Sequence, residues 1–226
     1  FQNLLRMRQS PHSLRSQCGA DSQIVYASLG LARYAWTPAI STIKEPMFPG
    51  YVFGGPAFIN FGKNNENARD DHIYAVSTDQ WDNGSNLRLG RAPADSIPRA
   101  GAWQWVCAWT PSGEPVWGYD LYGSIPILSL HKWISLPDMV YLAGIKRYLL
   151  LTWHLHMDFD FANGAALLIF EAPEPWGPFS LVHYEDIWES REFAPYCPRL
   201  PLKWMEPDGR SGWLQFSGKP GSPEYY

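Results

Sequence analysis

Apolar residues along this chain gather in short runs, and hardly any run repeats at the three-to-four-residue spacing of an amphipathic helix. Val, Ile, Leu, Tyr and Trp fill the runs, with Gly and Pro spread between them. β-Branched and aromatic residues suit a pleated, half-buried surface, and Gly and Pro supply the turns. The pattern predicts strands over 23–28, 55–61, 72–77, 86–92, 102–109, 139–153, 165–171, 179–184 and 211–217. After the run ending at Trp153 the pattern changes to strict alternation. His154, His156, Asp158 and Asp160 interleave with Leu155, Met157, Phe159 and Phe161. In an extended chain this places the four polar groups in a row along one side.

The succession of strands repeats. Phe53 to Gly62, His72 to Ser77, Leu87 to Ala92 and Trp103 to Trp109 follow one another across polar loops. The order restarts at Asp138, with an apolar strand to Trp153, a polar loop, the strand 165–171, the turn APEPWGP and the strand 179–184. It restarts again at CPRLPLKW, leading into SGWLQFSG. Units of about four strands are the blades of a β-propeller, so the expectation is an all-β propeller of four-stranded antiparallel blades. About three blades fit in this length, and the open edges call for further blades or a second copy to cover them. Residues 1–20 stand outside the pattern as an N-terminal segment, and 21–226 read as one partial propeller domain.

Composition narrows the function. Hydrophobic residues make up 46% and charged residues 18%, which fits a folded domain and not a disordered one. The net charge of −4 argues against a nucleic-acid partner, because phosphate binding needs a basic face. No apolar run reaches the roughly 20 residues of a membrane span. Cys18, Cys107 and Cys197 lack metal-ligand spacing and leave the redox compartment undecided. The chain opens on Phe1, as a mature form or a piece of a longer protein does. Twelve Trp and twelve Tyr are the outlying numbers. Such rings either pack strands or stack on the C–H faces of sugars.

The stretch EAPEPWGPF, preceded by GIKRYLLLTW, resembles five-bladed propeller glycoside hydrolases, and the stretch FGGPAFINFGKNNENARDDHIYAVSTDQWDNGSNLRLGRAPADSI resembles in particular the secreted propeller proteins of unknown function related to them. The resemblance is to the arabinanase, xylosidase and invertase-like enzymes and to related secreted propeller proteins, over residues 24–218. It implies carbohydrate as partner, a secreted location, and a carboxylate pair, one acid and one base or nucleophile, flanking the scissile bond. In such a fold ligands meet the loops that lead into each innermost strand and the loops joining second and third strands of a blade. Those loops offer Asp79, Asp82, Asp138, Glu171 and Glu174. Asp138 precedes an innermost strand, Glu171 closes a second strand and Asp79 holds the matching place one blade earlier, so these three are the expected catalytic acids. Trp81 and Trp176 in the same loops are expected sugar platforms or packing residues, and Arg199 is an expected substrate ligand.

The loops KNNENARDD and HLHMDFDFANG are then placed on the opposite face. Asn64, Asn65, Glu66, Asp70 and Asp71 offer oxygen ligands for calcium, without EF-hand spacing. His154 and His156 with a nearby Asp could hold zinc or manganese, or form the wet side of a half-buried strand. If the HLHMDFDFANG loop folds into the propeller's central tunnel instead, His154 and Asp158 become reserve catalytic groups, and Asp71 is a further reserve. Two other functions stay open: a lyase on uronic-acid polymers, drawing on His154, His131, Tyr141 and Arg199, and a propeller that binds carbohydrate without turning it over.

Overall fold

The computed structural model describes residues 6–9, 47–48, 50, 52–62, 65–157 and 160–218. The strand expected over 23–28 lies outside them. The elements are β1 (Arg6–Gln9), β2 (Ala57–Phe58), β3 (His72–Thr78), β4 (Gly84–Pro93), β5 (Gln104–Trp109), β6 (Pro115–Gly118), β7 (Leu128–Ile134), β8 (Asp138–Leu142), β9 (Arg147–Met157), β10 (Asp160–Ala172), β11 (Ser180–Glu185), β12 (Tyr196–Arg199) and β13 (Ser211–Ser217). Two short 3₁₀ turns, Ala100–Ala102 and Leu202–Trp204, lie among the described residues.

The fold is all-β. Its clearest unit is the four-stranded antiparallel sheet β11-β10-β9-β8. A larger sheet, β2-β3-β4-β5-β6, precedes it, with β7 also pairing on β4. In that sheet the outer position is shared, because β5 lies beside Gly90 and Arg91 while β7 lies beside Gly84 to Leu87. The third sheet has the order β1-β13-β12, with β1 running parallel to β13; β1 therefore forms a strand within the N-terminal stretch read as lying outside the pattern.

Two inner strands begin the same way. Gly55-Pro56-Ala57 and Leu136-Pro137-Asp138 each lead a strand with proline, whose missing N–H is tolerated at a strand start, and Cys197-Pro198-Arg199 closes β12. β2 and β8 are joined in parallel through Asn60 and Val140. The Asn60 N–H donates to Met139 O at 3.1 Å, and the Tyr141 N–H donates to Asn60 O at 2.9 Å. Sheets of up-and-down strands with parallel inner strands side by side form the blade arrangement of a β-propeller. We call the end where β2, β8 and β12 begin the top face.

Alternation then builds the cores between blades. On β9, Tyr148 and Leu150 face the first blade, in a cluster with Val76, Leu87, Leu89 and Ile134. Leu149, Leu151, Trp153 and Leu155 face the third, against Trp188, Leu200 and Leu214. A strand buried on both faces reads as a continuous apolar run, and its period-two signal disappears. That is why β8 and β9 merge in the sequence. The expected strand 139–153 is two strands, broken by the turn at 143–146, where Lys146 takes φ +54° and Gly144 lies against the backbone of Asp208.

The split shifts every later strand of this blade by one place. HLHMDFDFANG is the second-to-third connection with its flanking strand ends, and the turn after Glu171 is the third-to-fourth. The two loops exchange faces relative to the expectation: the histidine-rich segment lies at the top, and the Pro-Trp-Gly-Pro turn at the bottom.

Candidate functional site

Asp138 opens β8 at the top face, with 9% of its surface exposed. On β8, Asp138, Val140 and Leu142 point toward the third blade while Met139 points toward the first. The third blade answers with Arg199, which stands after Pro198 as Asp138 stands after Pro137. The Arg199 guanidinium donates to Asp138 Oδ1 at 3.0 Å and to Pro137 O at 3.0 Å. The Leu200 N–H donates to Asp138 Oδ2 at 2.9 Å. Both carboxylate oxygens act as acceptors at the junction of two blades.

The β3–β4 connection covers the neighbouring surface. Asp79 braces it: Oδ1 accepts the Ser85 N–H at 2.9 Å and the Asn86 N–H at 3.2 Å, and Oδ2 accepts Asn86 Nδ2 at 2.8 Å. This is a turn-forming use of an aspartate. Asp82 is fully buried in the same loop. Asn83, at φ +47°, binds the backbone of Leu155 in both directions, donating from Nδ2 to Leu155 O at 2.9 Å and accepting the Leu155 N–H on Oδ1 at 2.7 Å. Its own N–H donates to Ser135 Oγ at 2.9 Å. The Leu136 N–H donates to Trp81 O at 3.1 Å. The first blade's loop is thereby fastened to the segment that leads into Asp138.

Trp81 packs against Trp153 at 5.3 Å, Tyr196 at 6.0 Å and Phe161 at 6.1 Å between ring centroids. Phe161 reaches this cluster because β10 is bulged between Asp160 and Ala165, with Gly164 at φ +85°. Tyr196 and Asn83 were not among the sequence-derived candidates. The two Pro-X pairs would have aligned Asp138 with Arg199, but nothing in the sequence marks Tyr196 or Asn83.

His154 lies on β9 near the top face, facing the first blade, and is 5% exposed. Its Nδ1 is 3.1 Å from Leu155 O, its Nε2 is buried with no hydrogen-bond partner among the described residues, and its ring stacks on Trp133 at 5.0 Å. Burial holds the imidazole below its ordinary pKa, and the positive charge His156 carries when protonated adds to that. His156 Nε2 lies 2.7 Å from Asp186 O. Asp158 falls outside the described residues. Among the described residues no three His, Cys, Asp or Glu side chains gather in a way that could hold a metal ion.

The other expected residues are at the bottom. Glu171 pairs with Leu149 on β9, which pairs with Val140 on β8, whereas Asp138 pairs with Leu151. Two strand spacings and two residues of rise set the Cα atoms of Asp138 and Glu171 about 12 Å apart, with Leu149 and Leu151 on the same sheet face between them. Glu174 forms an ion pair with Arg69, and Arg69 also lies 4.5 Å over the Trp176 ring. Trp176 meets Trp117 edge-on at 6.5 Å. These contacts join the first and second blades at their lower ends. Asp71 is exposed in the β2–β3 connection at the same end, where its carbonyl accepts the Ala94 N–H.

No family model and no curated protein matches the chain. Solved structures do. An exo-β-1,3-galactanase from Phanerochaete chrysosporium, crystallised with β-1,3-galactotriose, is similar over 86% of this chain and 36% of that one, with 9% identity and a TM-score of 0.44. A GH43 protein from Bacillus licheniformis is similar over 77% of this chain and 28% of that one, with 15% identity and a TM-score of 0.42. An exo-β-1,3-galactanase from Clostridium thermocellum is similar over 70% of this chain and 30% of that one, with 10% identity and a TM-score of 0.41. These likenesses concern the fold. The chain spans half or less of the length of the solved chains it matches. No helix among the described residues is long and apolar enough to cross a membrane.

Proposed function

We propose that this chain belongs to a carbohydrate-acting propeller, a glycoside hydrolase whose substrate lies on the top face. The observation that carries the reading is Asp138. It is a buried carboxylate at the mouth of an inner strand, held by Arg199 and the Leu200 N–H, beside a loop that carries Trp81 and Asp82. A carboxylate fixed there with both oxygens accepting suits a base, a nucleophile, or a group that stabilises oxocarbenium charge; the pair is completed by a second acid. Glu171 and Glu174 stand at the other end of the blade and are not part of this proposal. Polysaccharides are met outside the cell, so an extracellular working location follows from the reading.

A lyase on uronic-acid polymers is the second reading, and two of its expected residues have other contacts. Arg199, its charge neutraliser, pairs with Asp138 through one guanidinium nitrogen. Tyr141 packs between Phe61 and Tyr148 in the contact of the first two blades. The experiment is reducing-sugar release by wild type and Asp138→Asn on arabinan, xylan, β-1,3-galactan and fructan. The expected result is release from one polymer and a loss of at least ~100-fold in the variant. Equal rates in the two proteins would remove Asp138 from the mechanism. Ultraviolet absorbance from an unsaturated uronate on pectate would reverse the choice between hydrolase and lyase. Binding without any release would leave a non-catalytic carbohydrate-binding propeller.

A further inference from the structure

We propose that β11 pairs edge to edge with β11 of a second copy of this chain, antiparallel about a two-fold axis at Tyr184. The contact joins the second blades of two molecules into one continuous sheet. It stands apart from the carbohydrate reading and does not depend on it.

β11 is the outer strand of the sheet β11-β10-β9-β8. Pairing with β10 satisfies one side of its backbone. Among the described residues, no backbone N–H or C=O of 180–185 has a hydrogen-bond partner outside that pairing. A row of unpaired backbone groups is a template for another strand, and edges left to water are commonly blunted by proline, lysine or short length. The outer strand of the larger sheet is blunted in this way: β6 has four residues and starts with Pro115. β11 has six residues, Ser180 to Glu185, with neither proline nor lysine. Its Leu181, Val182 and Tyr184 are 51%, 45% and 39% exposed. Free backbone groups and apolar side chains on one edge suit the addition of a strand.

The residues of the strand select the partner and the register. Two identical antiparallel edges are related by an axis perpendicular to the sheet, and residues opposite each other share a face. Side chains alternate between faces, so the axis passes through a residue and not between two. The register with β10 shifts between Ile169 and Phe170, which oppose His183 and Leu181, and leaves Val182 as the extra residue of a bulge. The regular stretch is therefore His183 to Glu185. An axis at His183 or at Glu185 sets like groups opposite each other, imidazole to imidazole or carboxylate to carboxylate, and like charges directly opposite are destabilising. An axis at Tyr184 sets His183 opposite Glu185 of the second copy, twice. Within one chain His183 Nε2 and Glu185 Oε2 are 3.6 Å apart, with 49% and 43% of their side chains exposed. The two-fold makes a square of these four groups, in which each imidazole borders two carboxylates. On the other face Tyr184 meets Tyr184, and stacking on Trp133 at 5.6 Å already holds each ring in place. The strand is its own complement, which singles out a second copy as the occupant.

The test is sedimentation velocity of wild type, His183→Glu and the double variant His183→Glu/Glu185→His, over protein concentrations from about 1 to about 100 µM. The expected result is a monomer–dimer equilibrium in wild type and an apparent Kd raised at least about tenfold in His183→Glu, which sets carboxylate against carboxylate. The double variant should recover the dimer, because the square re-forms with its members exchanged. A wild type that stays monomeric over the whole range overturns the proposal. So does a dimer that His183→Glu leaves unchanged, since the interface would then lie elsewhere, and so does a double variant as weak as His183→Glu. Hydrogen exchange of wild type needs no variant: the amides of 182–186 should slow as concentration rises, and equal exchange at both ends of the range overturns the pairing.

Discussion

At the scale of single residues, what matters is whether a carboxylate is spoken for. Asp79 is bound up in its own turn and Glu174 in an ion pair, and the acceptors of Asp138 link two blades. Asp138→Ala leaves the Leu200 N–H and the Arg199 guanidinium without this acceptor, and a stability loss of about 2 kcal/mol is expected in urea unfolding. Asp138→Asn keeps an acceptor for the Leu200 N–H and should cost less, so it is the better variant for kinetics. His154 gives a pH dependence of definite sign. Burial lowers its folded-state pKa, so the unfolded chain binds a proton more readily. The contribution of His154 is complete above the unfolded value of about 6.5 and is lost as pH falls through the depressed folded value. The stability difference between pH 7.5 and pH 5 should shrink in His154→Gln, measured by denaturant midpoints. An unchanged difference would mean that the imidazole does not titrate in its buried position.

At the scale of elements, the connections decide which side chains share a face. The β3–β4 loop is fastened at Ser135, Leu136 and Leu155, all near the top of the second blade. Asn83→Ala removes both bonds to the Leu155 backbone and places a Cβ-bearing residue with no side-chain acceptor at φ +47°. A loss of about 2–4 kcal/mol is expected, together with faster quenching of Trp81 by acrylamide. The lower connections behave differently. Arg69→Ala removes a half-exposed ion pair and a cation–π contact, worth about 1–2 kcal/mol together. Because those contacts lie at the bottom, Arg69→Ala, Glu174→Gln and Glu171→Gln should keep reducing-sugar release within about twofold of wild type, a range far below the ~100-fold loss typical of a removed acid or base. A large loss in Glu171→Gln would place the chemistry at the other end of the blade.

At the scale of the whole molecule, the blades share cores. Leu168 of β10 packs in one cluster with Leu87 and Leu89 of β4, and Ile169 in another with Leu200 and Leu214 of the third sheet. Shared cores make the blades unfold together, so Leu168→Ala should lower stability by about 3 kcal/mol in one transition seen alike by fluorescence and circular dichroism. Separate transitions would show that the blades are independent. The same sharing explains what was and was not legible in the sequence. Strand content, the all-β class and the blade repeat could be read from letters, because β-branched and aromatic runs punctuated by Gly and Pro have no other compact use. The boundary between β8 and β9 could not, because strands buried on both faces lose their alternation and the turn at 143–146 carries a single glycine.

That one boundary governed the site. Sequence alone determined that this is an all-β blade protein, that Asp138 stands after a proline at the head of an inner strand, and that aromatic residues abound. Only the tertiary structure decided which end of the blade each loop occupies. It set His154 near the same face as Asp138, sent Glu171 and Trp176 to the other, and paired Asp138 with Arg199 across a blade junction 61 residues apart. The physical reason is that period two tells which side of a sheet a residue faces, while the end of the sheet it reaches depends on counting every strand correctly. A single missed turn leaves the side-to-side pattern intact and reverses the end.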